Sequence, residues 1–273
     1  MRELEALAGL SGGHCTFISR PEEVRLNLAA DLARREHLAA INIQLKIEIS
    51  PDVGIWHLYG HDLVTDPAMR ASVLRDARDA RRRGEEQFGT QSRPDLITEE
   101  RGIRIFAPDL AFGETYWIVL ELAVPDGMDL QNLGKATVQY VDTVARDSGR
   151  HELDLGSPGQ IPEALVAMHA IGLWTSEVTF YALDDLYEND RATAKERLSR
   201  HIEALRVASR HVPAPQFTDD QVVLGKLISL SSNLQRPRNL VDSTALGGAP
   251  WLFTMHTMNE FGRVRGGYDR RYF

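Results

Sequence analysis

The strictest pattern in this 273-residue sequence is an alternation that runs from Ile41 to Ile49. Isoleucine or leucine occupies every odd position, and asparagine, glutamine, lysine and glutamate occupy the even ones. Successive side chains of a strand point to opposite faces, so a period of two predicts a strand with one buried and one wet face. We expect this segment to be a long central strand of an antiparallel sheet.

Five further segments have strand character, and turn signals such as Ser50-Pro51-Asp52, Pro125-Asp126-Gly127 and Asp147-Ser148-Gly149 separate several of them. The segments are 54–60, 101–107, 115–124, 135–141 and 151–155. Six strands with turns between them indicate an antiparallel β-sandwich over 41–156.

Beyond Gly156 the apolar residues recur at helical spacing. One helix is predicted from about 165 to 186, and Asn189-Asp190 ends it, with Asp190 placed to cap the next helix. That next helix aligns Ala194, Leu198, Ile202 and Leu205, and a third is predicted from about 218 to 234. The expected fold class is α+β, an antiparallel β-sandwich followed by a small helical region over 157–235.

The first 40 residues predict a short strand and then a helix that begins at Pro21. Val24, Leu28 and Leu32 form one apolar stripe along that helix, which one strand and one helix cannot bury alone. The sequence thus divides into a strand–helix unit (1–40), the sandwich, the helical region and an irregular aromatic-containing tail (236–273).

A charged insertion near 66–100 interrupts the predicted sheet. It mixes carboxylates with the arginines Arg70, Arg75, Arg78, Arg81, Arg82 and Arg83. One interpretation is a nucleic-acid binder that acts through residues 70–87. The insertion has few aromatics for base stacking and the chain carries a net charge of −8, so we expect instead a mobile or peripheral segment and no nucleic-acid partner.

Motifs for catalysis are missing from the sequence. It has no phosphate loop of the Walker type, no dinucleotide fingerprint after a strand and no Gly-x-Ser-x-Gly elbow. An alternative is an enzyme with a non-motif site near His57, His61 and Asp62, although four residues of strand separate the two histidines by about 13 Å. We assign no catalytic, cofactor-binding or metal-ligating residue, and expect no enzyme activity and no cofactor.

Three further features of the sequence bear on catalysis and location. His14 and Cys15 are neighbours on a predicted strand and point to opposite faces, so they do not form a nucleophile–base pair. Asp184, Asp185 and Glu188 are expected to be a solvated helix end. No signal peptide is recognised at the N-terminus and no compact apolar run reaches about 20 residues, so a cytoplasmic location without a membrane span is expected.

The segment from Gly12 through the helix at Pro21 resembles the last strand and helix of a von Willebrand factor type A domain in bacterial proteins. The β-sandwich that often follows this domain has its counterparts here in Val53-Gly54-Ile55-Trp56, in Tyr59-Gly60-His61 and in the stretch from Asp109 to Glu114. The resemblance covers roughly residues 5–155. It implies an interaction or scaffold role.

The metal-ion-dependent adhesion site of that family, Asp-x-Ser-x-Ser with a distant Thr and Asp, has no counterpart here, and Asp242-Ser243-Thr244 lacks its spacing. The resemblance therefore implies a fragment or a remnant that docks to an A-type domain. The expected function is that of a non-catalytic protein–protein interaction or scaffold module, with other proteins as partners, an A-type domain or a larger assembly among them.

Overall fold

The computed structural model describes residues 21–60, 67–90, 93–98, 101–157, 159 and 161–233. The predicted strand near His14 and Cys15, the residues His61 and Asp62, and the tail 236–273 lie outside these ranges. The helices are α1 (Pro21–Glu36), α2 (Pro67–Phe88), α3 (Glu163–Tyr187), α4 (Arg191–His211) and α5 (Pro215–Asn233). The strands are β1 (Leu38–Ile49), β2 (Gly54–Tyr59), β3 (Ile103–Ala107), β4 (Leu110–Ala111), β5 (Val119–Ala123), β6 (Gly134–Asp142) and β7 (Asp147–Leu155).

The predicted α+β class is confirmed. Strands β3, β1, β6 and β7 lie in that order in one antiparallel sheet, with β4 also paired to β1, and β2 pairs with β5 in a second, two-stranded sheet. Leu45 and Ile47 of β1 pack with Ile105 of β3, and Leu120 of β5 packs against this cluster. The two sheets therefore share one apolar core, as in a sandwich.

The central strand β1 is present as predicted, but its two faces differ from the expectation. A β-bulge lies where Ile41 pairs with Val141 and Gln44 pairs with Gln139, and Asn42 has a φ of 52°. Between these two pairs β1 advances by three residues and β6 by two. The side chain of Ile41 therefore belongs to the same face of the sheet as that of Gln44, and not to the face of Leu45. The first half of the face predicted to be wet is also buried, since Asn42 and Gln44 are almost fully covered, whereas Glu48 is exposed as predicted.

The charged insertion provides this cover, so the prediction of a mobile or peripheral segment is wrong. Helix α2 contacts β1 and buries Ala77 and Ala80, and a short 3-10 turn at Leu96–Thr98 buries Leu96 and Ile97. The physical reason is that small residues on one side of an otherwise charged helix allow close packing on the sheet. Deletion of 70–87 is therefore expected to expose part of the core and to lower the melting temperature.

Buried hydrogen bonds fix the 3-10 turn to the sheet. Nε2 of Gln44 donates to Oδ1 of Asp95 at 2.7 Å, and Oε1 of Gln44 accepts from the backbone N–H of Ile97 at 3.3 Å. On the neighbouring strand, Gln139 donates to the carbonyl of Pro94 at 3.0 Å. Gln44, which was predicted to face solvent, and Gln139 thus make polar contacts between the sheet and the insertion.

Two strand boundaries differ from the sequence prediction. The strand expected at 115–124 is shorter (β5), and β7 begins at Asp147, inside the predicted Asp147-Ser148-Gly149 turn. The turn lies over the preceding four residues, where Arg146 has a φ of 52°. Gly149 pairs with Tyr140, and a Cβ there would lie 2.6 Å from the tyrosine ring, so this glycine serves close packing and not a turn.

The helical region follows the prediction closely. Asp190 caps α4, and its Oδ1 accepts from the backbone N–H of Thr193 at 3.0 Å. Leucines from all three helices meet around Phe217 in a core that excludes water, namely Leu183, Leu186, Leu198, Leu205, Leu224 and Leu227. Helices α3, α4 and α5 therefore have an apolar core of their own.

Candidate functional site

Helix α1 presents the apolar stripe that the sequence predicts, but nearly all of that stripe faces solvent. Val24, Leu28 and Leu32 are 48%, 58% and 53% exposed, and Leu26 on another side of the helix is 70% exposed. Every residue of α1 is at least partly exposed. An amphipathic helix in a folded chain normally buries such a stripe, so this surface is the first candidate for a binding site.

A bidentate ion pair attaches the last turn of α1 to the sandwich. Nε and Nη2 of Arg34 donate to the two carboxylate oxygens of Glu114 at 2.7 and 2.8 Å. The same Nη2 donates to the backbone carbonyl of Asp109 at 2.6 Å. Two parallel N–H···O bonds restrict both distance and orientation, so this contact fixes the direction in which α1 leaves the sandwich.

The loop from Asp109 to Glu114 joins several elements at this point. Oδ1 of Asp109 accepts from the backbone N–H of Asn42 at 3.1 Å, and Oδ2 lies 3.8 Å from Nη2 of Arg83 in α2. Oε2 of Glu114 also accepts from the backbone N–H of Ala111 at 2.9 Å. The stretch that carries part of the resemblance is thus the connection between α1, α2 and β1.

His57 lies in a polar cluster that the sequence did not predict in full. Its Nε2 is 2.9 Å from Oε2 of Glu177 on α3, and its ring packs edge-on against Tyr59 with centroids 4.5 Å apart. The hydroxyl of Tyr59 donates to Glu121 at 2.8 Å. Partial burial raises the pKa of Tyr59 to about 12, and the hydrogen bond to Glu121 and the charges of Glu121 and Glu177 act in the same direction.

Glu177 uses its second oxygen to join the sandwich to the helical region. Its Oε1 accepts from the backbone N–H of Gly60 at 2.5 Å. Gly60 has a φ of 73°, and a Cβ there would lie 2.8 Å from Leu173 of α3, so glycine allows both the turn and the close approach. Nearby, Trp117 stacks on the buried His169 with centroids 4.0 Å apart. The cluster around His57 therefore holds α3 against the two-stranded sheet.

A signal for Glu177 was present in the sequence. It is the single Asp, Glu, Lys or Arg between Ala164 and Leu183, an otherwise apolar stretch of helix. A lone carboxylate in such a stretch needs a partner when it is partly buried. Pattern alone could not name His57 and Gly60 as those partners, because about 120 residues separate them.

Several of the charged residues singled out in the sequence form ion pairs. Nε of Arg81 lies 3.1 Å from Glu85, and Nη2 of Arg82 lies 3.0 Å from Asp79. Asp185, expected to be solvated, instead accepts from Nε of Arg197 at 2.9 Å and connects α3 to α4. Within α2, the pairs at Arg81 and Arg82 join residues one helical turn apart, as mixed charges on a helix surface commonly do.

A groove of about 390 Å³ lies between α3 and α4 and is lined by Trp174, Val178, Thr193, Glu196, Arg197, Arg200 and His201. In the described ranges, no three His, Cys, Asp or Glu side chains gather closely enough to ligate a metal ion. None of the helices in that same part of the chain combines the length and apolar character that a membrane span needs.

Comparison with known proteins gives little beyond the geometry. No protein-family model matches the sequence, and no curated protein matches it. Among solved structures, the chain is similar to the crystal structure of the human COPII-coat protein Sec24c, at 11% sequence identity and a TM-score of 0.36. The match covers 92% of this chain and 31% of that protein, so the chain spans about a third of its length.

Proposed function

We propose that this chain is a non-catalytic protein-interaction module and that α1 is its docking helix. The observation that carries the proposal is the exposed stripe of Val24, Leu28 and Leu32 on a helix whose last turn is clamped to the sandwich by Arg34. No residue of this 16-residue helix is buried, and a helix of that length without a buried face is marginal in water. A partner that covered the stripe would stabilise it.

Burial of this stripe would contribute to the binding energy. Full burial of a valine or leucine side chain from complete exposure contributes about 1.5–3 kcal/mol. Because Val24, Leu28 and Leu32 are already about half covered, burying the rest of all three would contribute roughly half of that sum, about 2–5 kcal/mol, with contacts around the stripe needed to offset the cost of association. The ion pair to Glu114 adds to this by limiting the orientations of α1, which lowers the entropy lost on binding.

The proposed partner is an A-type domain. The stretch that includes α1 resembles the last strand and helix of such a domain, and in that setting the stripe would pack on the domain's sheet. Under this proposal the sandwich and helical region act as a scaffold that displays α1. The polar cluster at His57 serves the junction with α3 rather than a reaction, because each oxygen of Glu177 already has a partner within the chain.

Site-specific photo-crosslinking tests the proposal. A photoreactive residue is placed at Leu28 on the stripe or, as the matched control, at Ala30 on another side of the same exposed helix, and each protein is mixed with purified A-type domains from the same organism. We expect a crosslink from position 28 alone, and about tenfold weaker binding by Leu28→Asp in calorimetric titration. Equal crosslinking from both positions, or none from either, would contradict the proposal.

A further inference from the structure

The second, two-stranded sheet is formed by two segments of the sequence that lack basic residues. Residues 47–69 and 105–134 contain no lysine and no arginine, although the chain has 31 of these residues. The same two segments contain nine Asp and Glu residues, and they supply both β2 and β5. Because β2 and β5 pair, Glu121 lies on this sheet, and Asp52 and Asp126 lie just beyond the strand ends where Gly54 pairs with Ala123; Asp109 and Glu114 lie instead at the clamp on α1.

An exposed aromatic and aliphatic pair lies on this sheet. Trp56 is 75% exposed and Ile55 is 46% exposed. A β-bulge at this point makes Ile55 pair with Leu122 and His57 pair with Glu121, so Trp56 lies beside Glu121 across the strands. The register places Ile55 opposite Leu122 and Trp56 beside Glu121, so of the two exposed residues Trp56 alone supports a binding site here, and tryptophan is enriched among the residues that dominate binding energy.

Carboxylates lie on this sheet and beside it. Glu121 is exposed and accepts from the Tyr59 hydroxyl, and Glu177 lies on the other side of Tyr59 against His57. Asp52 and Asp126 are exposed at the end of the sheet where Gly54 pairs with Ala123. The raised pKa of Tyr59 reflects in part the negative potential that Glu121 and Glu177 produce there.

We propose that the β2–β5 surface is a second docking surface and that it binds a basic, extended segment of a partner protein. An indole ring attracts the guanidinium or ammonium group of Arg or Lys, and adjacent carboxylates complement the same charge. Among the strands that the structure describes, β2 pairs with β5 alone, so its other edge can receive an extended chain. The surface is separate from α1, and this proposal does not depend on the function proposed for that helix.

Peptide titration tests the proposal. The probe is a labelled, end-blocked peptide of three Arg-Val repeats, and the matched peptide has three Glu-Val repeats; fluorescence anisotropy is measured with the full chain at low and at physiological salt. We expect the basic peptide to bind and the acidic one not to. Trp56→Ala should weaken binding by about fivefold to tenfold, and Glu121→Gln by about threefold.

Two control variants distinguish binding at this surface from non-specific electrostatic attraction of a basic peptide to an acidic protein. Leu153→Ala removes another exposed apolar side chain, on β7, and Asp219→Asn removes an exposed carboxylate on α5. Both are expected to bind the basic peptide as the parent does. Equal affinity for both peptides, an unchanged affinity in Trp56→Ala, or no binding of the basic peptide would overturn the proposal. If sedimentation showed that the chain self-associates through Trp56 and the peptide did not bind, the proposal would be overturned, and the occupant of the surface would be a second copy of this chain.

Discussion

Helices α4 and α1 show how one sequence pattern leads to two outcomes. Both repeat an apolar residue every four positions, through Ala194, Leu198 and Ile202 in α4 and through Val24, Leu28 and Leu32 in α1. In α4, Leu198 is completely buried against α3 and α5. In α1, the equivalent leucine at position 28 is more than half exposed. The pattern defines an apolar face, and the elements beside it decide whether that face is covered.

The difference lies in how each helix connects to its neighbours. A short Asn-Asp turn joins α3 to α4, so their apolar faces meet as an αα-hairpin. Helix α1 is followed at once by the central strand β1, and a clamp at Arg34 ties its last turn to a loop. The contact that Arg34 makes is polar and does not cover Val24, Leu28 or Leu32. This contrast is the reason for assigning the docking role to α1.

The largest expected effect comes from placing a charge in each stripe. Leu198→Asp would bury an unpaired carboxylate and should cost more than about 4 kcal/mol of the free energy of unfolding, enough to unfold the helical region. Leu28→Asp, the matched change on α1, should alter that free energy by less than about 0.5 kcal/mol. Chemical denaturation followed by circular dichroism measures both. Comparable losses from the two variants would remove the distinction between the helices.

A second effect concerns the covered face of β1. Gln44→Ala removes an amide that binds both Asp95 and the backbone N–H of Ile97, and leaves those groups buried without it. We expect a loss of about 2 kcal/mol in the free energy of unfolding. Gln131→Ala, at an exposed position, is the control and should be neutral. A neutral Gln44→Ala would show that the insertion does not pack on the sheet.

A third, smaller effect concerns the clamp on α1. Arg34→Lys keeps the charge but loses the two parallel bonds to Glu114, so α1 should detach more readily. Because the pair is partly exposed, we expect a loss of no more than about 1 kcal/mol. Amide exchange of residues 33–36 should quicken while that of α4 stays constant. Unchanged exchange at the end of α1 would show that the ion pair does not orient the helix.

The smallest effect is pH-dependent and concerns the cap of α4. Hydrogen bonds from the backbone and hydroxyl of Thr193 lower the pKa of the Asp190 carboxyl. A folded-state pKa below the unfolded value means that the stabilisation is present above about pH 4 and is lost as the pH falls through the lowered value. The melting temperature of Asp190→Ala should thus lie slightly below that of the parent at pH 7 and approach it in acid. A gap that persists in acid would argue against the cap.

Much of the fold follows from local sequence, because periodicity and turn residues act over short distances. The alternation at 41–49 predicts β1, and Asp190 predicts the start of α4. The sequence-based prediction was wrong where contacts with a distant segment determine whether a residue is buried. The alternation predicts that Gln44 is solvated, but residues 93–98 cover it. Gly149 is typical of a turn, but its role is to leave space for the ring of Tyr140 on the neighbouring strand. Burial of a polar face depends on long-range packing that no local pattern contains.

The candidate sites follow the same rule. The stripe on α1 is visible in the sequence because it is a helical repeat, but its exposure is not. The cluster at His57 combines residues of β2 and β5 with Glu177 of α3, a set joined only by folding. The partners named with His57 from the sequence, His61 and Asp62, lie outside the described residues. Local spacing identified one member of the cluster and could not identify the rest.

Hydrogen exchange of the isolated chain tests the central claim, that α1 is unpacked until a partner covers it. Mass spectrometry or nuclear magnetic resonance would compare backbone amides of α1 with those of the α4 core around Leu198. We expect α1 amides to exchange on the order of a thousandfold faster, since local opening of a helix without a buried residue costs little and opening of α4 requires the helical core to unfold. Protection of α1 equal to that of α4 would show that its stripe is already buried, and would contradict the claim.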